Sequence, residues 1–176
     1  AGYRRQFQTT DSSNEAFGRS LAADFPGARA TEVTFSDLSD LEAPVNIAYT
    51  FTGAKLLQGT DPFRFLPTLR EANLAPRLAS RTSRTQDLIL GHPYQDNERY
   101  TIKLPPGYKA KLPPPIDLQS PFGRFELQAR QEGQTVTIAM TLAMTTHRIA
   151  ATDYAAFRRW LESIDAALAT PITAQP

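Results

Sequence analysis

Between Arg124 and Thr145 the chain reads RFELQARQEGQTVTIAMTLAMT, with apolar residues at alternate positions on both sides of a Glu-Gly-Gln break. A period of two belongs to a strand with one buried face. Phe125, Leu127 and Ala129, then Val136, Ile138, Met140, Leu142 and Met144, fall on one side of the hairpin that this pattern predicts. A slip of one residue would turn that whole face to water, so the pairing is tightly specified. The rest of the chain must supply a layer to cover it.

The C-terminal segment TDYAAFRRWLESIDAALATP is suited to that task. Tyr154, Phe157, Leu161, Ile164 and Leu168 recur every three or four residues, Thr152 or Asp153 can cap the start, and Pro171 ends the run. The spacing predicts a packing helix over about 153–169, with Trp160 one position off the apolar stripe. A second helix is predicted in DSSNEAFGRSLAADFPG, where Ser12 and Glu15 have capping-box spacing and Phe17, Leu21 and Phe25 share a face. Pro26-Gly27 end it.

Further strands are predicted at YRRQFQTT, at ATEVTF with Thr31, Val33 and Phe35 on one side, and at VNIAYTF with Val45, Ile47, Tyr49 and Phe51 on one side. QDLILG and ERYTIKL follow, Tyr100, Ile102 and Leu104 pointing one way. Over about 55–85 the period is lost, and prolines predict an irregular crossing with a short helix starting near Pro67. The proline-dense run LPPGYKAKLPPPIDLQSPFG reads as a rigid connection: proline removes donors and fixes φ, so the strand ladder cannot continue beyond Leu104. A polyproline-type recognition loop is the sharper reading of the same run.

About seven strands and two helices, without internal repeat or βαβ alternation, imply an α+β fold, mainly antiparallel β and sandwich-like. A length of 176 residues, with 41% hydrophobic and 21% charged residues, suffices for one core, and a single β-rich domain over 1–176 is expected.

A formal charge of +1 provides no overall field for nucleic acid or an anionic membrane. With no cysteine, thiolate, disulfide and zinc-thiolate chemistries are excluded. No apolar run approaches the roughly 18 residues that span a bilayer, so no membrane insertion is expected, and AGYRRQFQTT has no apolar signal core. The chain starts at alanine and its only methionines are Met140 and Met144, as expected of a piece of a larger protein.

The residue types that carry chemistry are sparse. There is no GxSxG elbow, SxxK pair, phosphate-binding glycine loop or dinucleotide fingerprint. No catalytic residue, cofactor or metal site is assigned: Asp37, Asp40 and Glu42 lack the spacing of a calcium loop and read as turn residues. Arg64, Arg70, Arg77, Arg81 and Arg84 have no interleaved stacking platform and read as a solvated face or an internal ion-pair surface, so nucleic acid is not expected.

Candidate binding residues are His92 in the GHPY turn, Tyr94 and Tyr108 in loops flanking a strand, and Trp160. Exposed tyrosines stack on sugars, so a glycan- or peptide-binding module is one reading. The structural readings are a turn histidine, edge tyrosines and a core-margin tryptophan. His147, just past a strand end, has no metal or catalytic spacing to His92. A hydrolase built on facing carboxylates ranks below both, because no such pair is visible in the sequence.

The ordered series RTQDLILGHPYQDNERYTIKLPPGYKAKLPPPIDLQSPFGRFELQAR, then the threonine-rich strand, then YAAFRRWLESIDAA resembles the C-terminal region of bacterial transglutaminase-like proteins. The likeness is strongest from about Arg81 to Ala167, and FSDLSDLEAPVNIAYTF is similar to the segment following the catalytic core there. The resemblance implies a β-rich accessory domain of a large exported protein whose catalytic Cys-His-Asp set lies in a separate papain-like core. Without cysteine, no catalytic residue carries over to this chain. Expected partners are other domains of the same precursor or another protein, and the expected location is extracytoplasmic.

Overall fold

A computed structural model describes residues 10–24, 27–37, 39, 47–52, 58–59, 61–68 and 72–176. The chain divides into two units, Ala1–Leu56 and Leu57–Pro176. The predicted strand at YRRQFQTT, except for its last residue Thr10, which is helical, lies outside the described residues, as do Phe25, Pro26, Asp40, Glu42, Val45 and Arg70.

In the first unit, helix α1 (Thr10–Asp24) precedes an antiparallel hairpin of β1 (Arg29–Phe35) and β2 (Ile47–Thr52). Phe17 joins them, its ring centroid 4.6 Å from that of Tyr49 and 6.3 Å from that of Phe35. Leu21, on the same helical face, is buried. Two expectations need correction. Thr10 is already helical, so Ser12 sits within the helix and not at its cap. A bulge between Ala30 and Glu32 takes Thr31 out of the alternation; its hydroxyl donates to Thr50 O at 3.2 Å.

The second unit is built on the hairpin with which the sequence reading began. β8 (Gly123–Glu132) and β9 (Thr135–Met144) pair in full register, and the turn between them has Gly133 at φ 57° with Gln134 at negative φ, the φ pattern of a type II′ turn. β5 (Tyr94–Lys103) adds to β9 and β7 (Ile116–Ser120) to β8, giving an antiparallel sheet in the order β5-β9-β8-β7. Phe125, Leu127, Val136, Ile138 and Met144 are buried on its inner face.

Two structures share the covering of that face. Over Phe125, Leu127, Met140 and Met144 lies α3 (Tyr154–Ala169), burying Tyr154, Phe157, Trp160, Leu161, Ile164 and Leu168. Over Val136 and Ile138 lies a small sheet of β3 (Phe63–Phe65), β11 (Ile172–Gln175) and β6 (Lys109–Lys111), contributing Phe65, Ile172 and Ala174. The fold is thus α+β, mainly antiparallel and sandwich-like. It uses eleven strands among the described residues, more than the seven expected: the proline run holds β6 and β7, and the short β3, β10 (Arg148–Ile149) and β11 lie in segments with no alternation to announce them.

That run moves the chain between the layers. β5 ends the large sheet, Pro105-Pro106-Gly107-Tyr108 turns with Tyr108 N–H donating to Pro105 O at 3.3 Å, and β6 joins the small sheet. Gly107 has φ 87°, required at the third position of a type II turn with proline second. Pro113 to Pro115 then lead back to β7 in the large sheet. The last ladder bond before the first proline is Leu104 N–H to Gln134 O, 2.7 Å.

The expected irregular crossing contains β3 and a five-residue helix α2 (Leu74–Leu78), seven residues beyond Pro67. Such a short helix does not sustain itself. Its N–H groups are satisfied from α3: Asp165 Oδ1 accepts from Leu74 N–H at 2.8 Å and Oδ2 from Ala75 N–H at 2.9 Å. We expect Asp165→Ala to cost about 1–3 kcal/mol in urea unfolding, the scale of hydrogen bonds to a charged group, and to speed exchange at both amides. Unchanged exchange there would contradict this role.

The segment after α2 is tied to the start of α3. The Tyr154 hydroxyl donates to Arg81 O at 2.8 Å and accepts from Arg81 N–H at 3.1 Å, while Arg158 Nη1 donates to the same carbonyl at 2.7 Å. Asp153 occupies the cap position of α3 through its backbone carbonyl, without a side-chain cap bond. β4 (Leu88–Ile89) pairs with β10 (Arg148–Ile149), and Asp87 holds that crossing by accepting from Arg148 and from Ala151 N–H.

The Arg148 hydrogen bond, then the Ala151 N–H, hold the Asp87 carboxyl below the usual aspartate range; Arg124, then Gln119, do the same for Asp117. Both groups have folded pKa values below unfolded ones, so their contribution is present above about pH 4 and lost as pH falls through the folded values. Each pair is exposed and individually weak. Asp87→Asn should therefore reduce the fall in Tm between pH 5 and pH 2; an identical fall in the variant would contradict the assignment.

Candidate functional site

The structure separates the sequence-predicted binding residues. Tyr94 opens β5, pairing with Met144, whereas Tyr108 lies past its other end, where Lys103 pairs with Thr135. Nine residues of strand, about 30 Å, divide them, so they do not form one aromatic platform. Tyr94 is a strand residue and not the loop residue expected. Trp160 is 7% exposed, its indole N–H donates to Leu118 O at 3.1 Å, and its ring packs between Phe122 and Phe157 at 6.5 and 6.3 Å. It packs as a core residue.

His92 is exposed in the turn between β4 and β5, and Tyr94, the first residue of β5, is 36% exposed. Burial raises the Tyr94 phenol pKa, with Arg77 opposing the shift. Ile89, which the sequence reading passed over, lies on the same connection and is 65% exposed, although its neighbour Leu88 packs against the core. Its alternation with Leu88 was the available signal: in a two-residue strand one side chain points in and the other out. Two exposed apolar side chains, Ile89 at the end of β4 and Tyr94 at the start of β5, thus lie on either side of the exposed His92 in the chain.

At the opposite end of β5, Tyr108 rests on Phe63 with ring centroids 5.4 Å apart. It borders an open recess of about 550 Å³ lined by residues 107–110, 131, 133 and 134. Gln131 spans this recess: Oε1 accepts from Ala110 N–H at 2.8 Å, and Nε2 donates to Tyr108 O at 2.9 Å and to Gly133 O at 2.8 Å. Among the described residues no three histidine, aspartate or glutamate side chains converge in the manner of metal ligands.

The arginines read as a solvated face are partly structural. Arg84 lies over the Tyr154 ring, 5.7 Å from its centroid, and Arg81 acts through its backbone. Among the described residues no helix is long and apolar enough to cross a membrane.

Residues 63–174, nearly the whole second unit, match the model of a domain family of unknown function with a solved structure, DUF3858. The chain belongs to the DUF3858 family. No curated protein matches it. Among solved structures it is similar to a suspected protease from Parabacteroides distasonis, with 14% identity and a TM-score of 0.49 over 55% of this chain. That stretch is 19% of the other protein's length.

Proposed function

We propose that this DUF3858 chain is a non-catalytic accessory domain of a larger, exported bacterial transglutaminase-like protein, and that it works by packing against neighbouring domains or a protein partner. The observation that carries the reading is the exposed Ile89, in a strand whose backbone is held by the β4–β10 pairing and by Asp87, with the exposed Tyr94 at the start of the next strand. Apolar side chains exposed on paired strands suit a domain interface. The internal use of Asp165 and Tyr154 fits a scaffold, since those polar groups already hold one chain segment to another.

The transglutaminase-like context rests on the ordered motifs from Arg81 to Ala167, and the absence of cysteine places any thiol nucleophile of such a protein outside this chain. Ile89→Asp is the test. It should leave the Tm of the isolated chain within about 2 °C, being an exposed site. In the longer protein it should open the junction to limited proteolysis. Equal protease resistance of variant and wild type would refute the reading.

A further inference from the structure

The free edge of β6 is held by a side chain in place of a strand. On one side β6 pairs with β11; the Ala110 N–H and Tyr108 C=O on the other side are taken by the Gln131 carboxamide. One acceptor and one donor in that spacing reproduce what the C=O and N–H of a single residue in an added parallel strand would offer to Ala110 and Tyr108. The recess of about 550 Å³ beside it is open along the same edge.

The exposed face of the small sheet is basic. Lys109 and Lys111 alternate with the inward Ala110, and Arg64 stands between the inward Phe63 and Phe65. Their cross-strand neighbours on β11 carry no charge: Arg64 and Lys111 flank Thr173, and Lys109 lies opposite Gln175. Three cations therefore share one small surface without an acid across the strands.

We propose that the β6 edge is a strand-addition site for an acidic extended peptide, with Gln131 as the placeholder that the peptide backbone displaces. The added main chain would take over the Ala110 and Tyr108 groups, and alternate carboxylate side chains would lie beside Lys109 and Lys111. Nucleic acid would meet the charges but leave the two backbone groups unused, so a peptide fits better. The inference does not depend on the packing role of the β4–β5 turn.

The test uses the whole 176-residue chain in a ¹⁵N NMR titration at low salt, with a capped octapeptide of alternating glutamate and valine as probe. A lysine-valine peptide and oligothymidylate serve as comparisons. Binding of the acidic peptide alone should shift the amides of residues 108–111 and the Gln131 side-chain NH2, and slow exchange at Ala110. The Lys109→Glu, Lys111→Glu double variant should weaken binding at least tenfold, and Gln131→Ala should keep or strengthen it about threefold. No shifts at millimolar peptide would overturn the proposal. So would equal binding of oligothymidylate with the Gln131 resonances unmoved, the signature of a cationic patch alone.

Discussion

Gly123→Ala should lower the stability of the second unit by about 3 kcal/mol or more, the upper range for forced overpacking, and its Tm by on the order of 10 °C. Gly123 opens β8, pairs with Met144, and follows the two-residue loop Pro121-Phe122. A methyl group on its Cα would overlap the Ala143 carbonyl oxygen and come within 3.1 Å of Trp160 Cη2. Neither obstacle yields easily: the carbonyl belongs to a central strand, and the indole is held by Leu118 O and two aromatic rings. The same turn buries Phe122 against Phe157, ring centroids 5.3 Å apart, so a displaced β8 would also open the core beneath α3. A Tm within about 2 °C of wild type would show that the strands can separate at this point without loss.

Ending the chain after Thr152 should abolish cooperative folding of the second unit. The deletion removes α3 and β11, hence the buried Tyr154, Phe157, Trp160, Leu161, Ile164, Leu168 and Ile172. At roughly 1.5–3 kcal/mol for each fully buried side chain, their gross contribution is on the order of 10 kcal/mol or more, comparable with the whole net stability of a domain. It also uncovers the inner face of the large sheet and takes away the central strand between β3 and β6. Insoluble or molten material that binds a hydrophobic dye is the expected product. A cooperative thermal transition in the truncated chain would contradict the account.

The parts of this fold visible in the sequence were those whose burial pattern is local. β8 and β9 alternate, and the stripe of α3 repeats every three or four residues, so each announces its own buried face. α2 could not be placed, because five residues carry no period and the carboxylate that caps it comes from Asp165, 91 positions away from Leu74. Trp160 lay one step off the stripe, yet Phe122, a turn residue of a different hairpin, widens the buried face to include it. The bulge at Thr31 is likewise invisible to alternation, which assumes that none occurs.

The candidate surfaces were only half legible. GHPY marked the turn that holds His92 and leads into Tyr94, but the outward Ile89 emerges only once the β4–β10 bridge decides which side chain of the pair faces the core. Tyr108 was found, whereas Gln131 was not: nothing in a strand pattern distinguishes a glutamine that faces water from one that completes the edge of another sheet.

Hydrogen exchange across residues 88–95, compared between this chain alone and the longer protein, tests the packing account most directly. The account predicts that the amides of Gly91 and His92, between the strand pairings, exchange quickly in the isolated chain and are protected by a neighbour in the longer protein. Equal exchange in both settings would mean that Ile89 and Tyr94 face solvent throughout, and the packing account would be wrong.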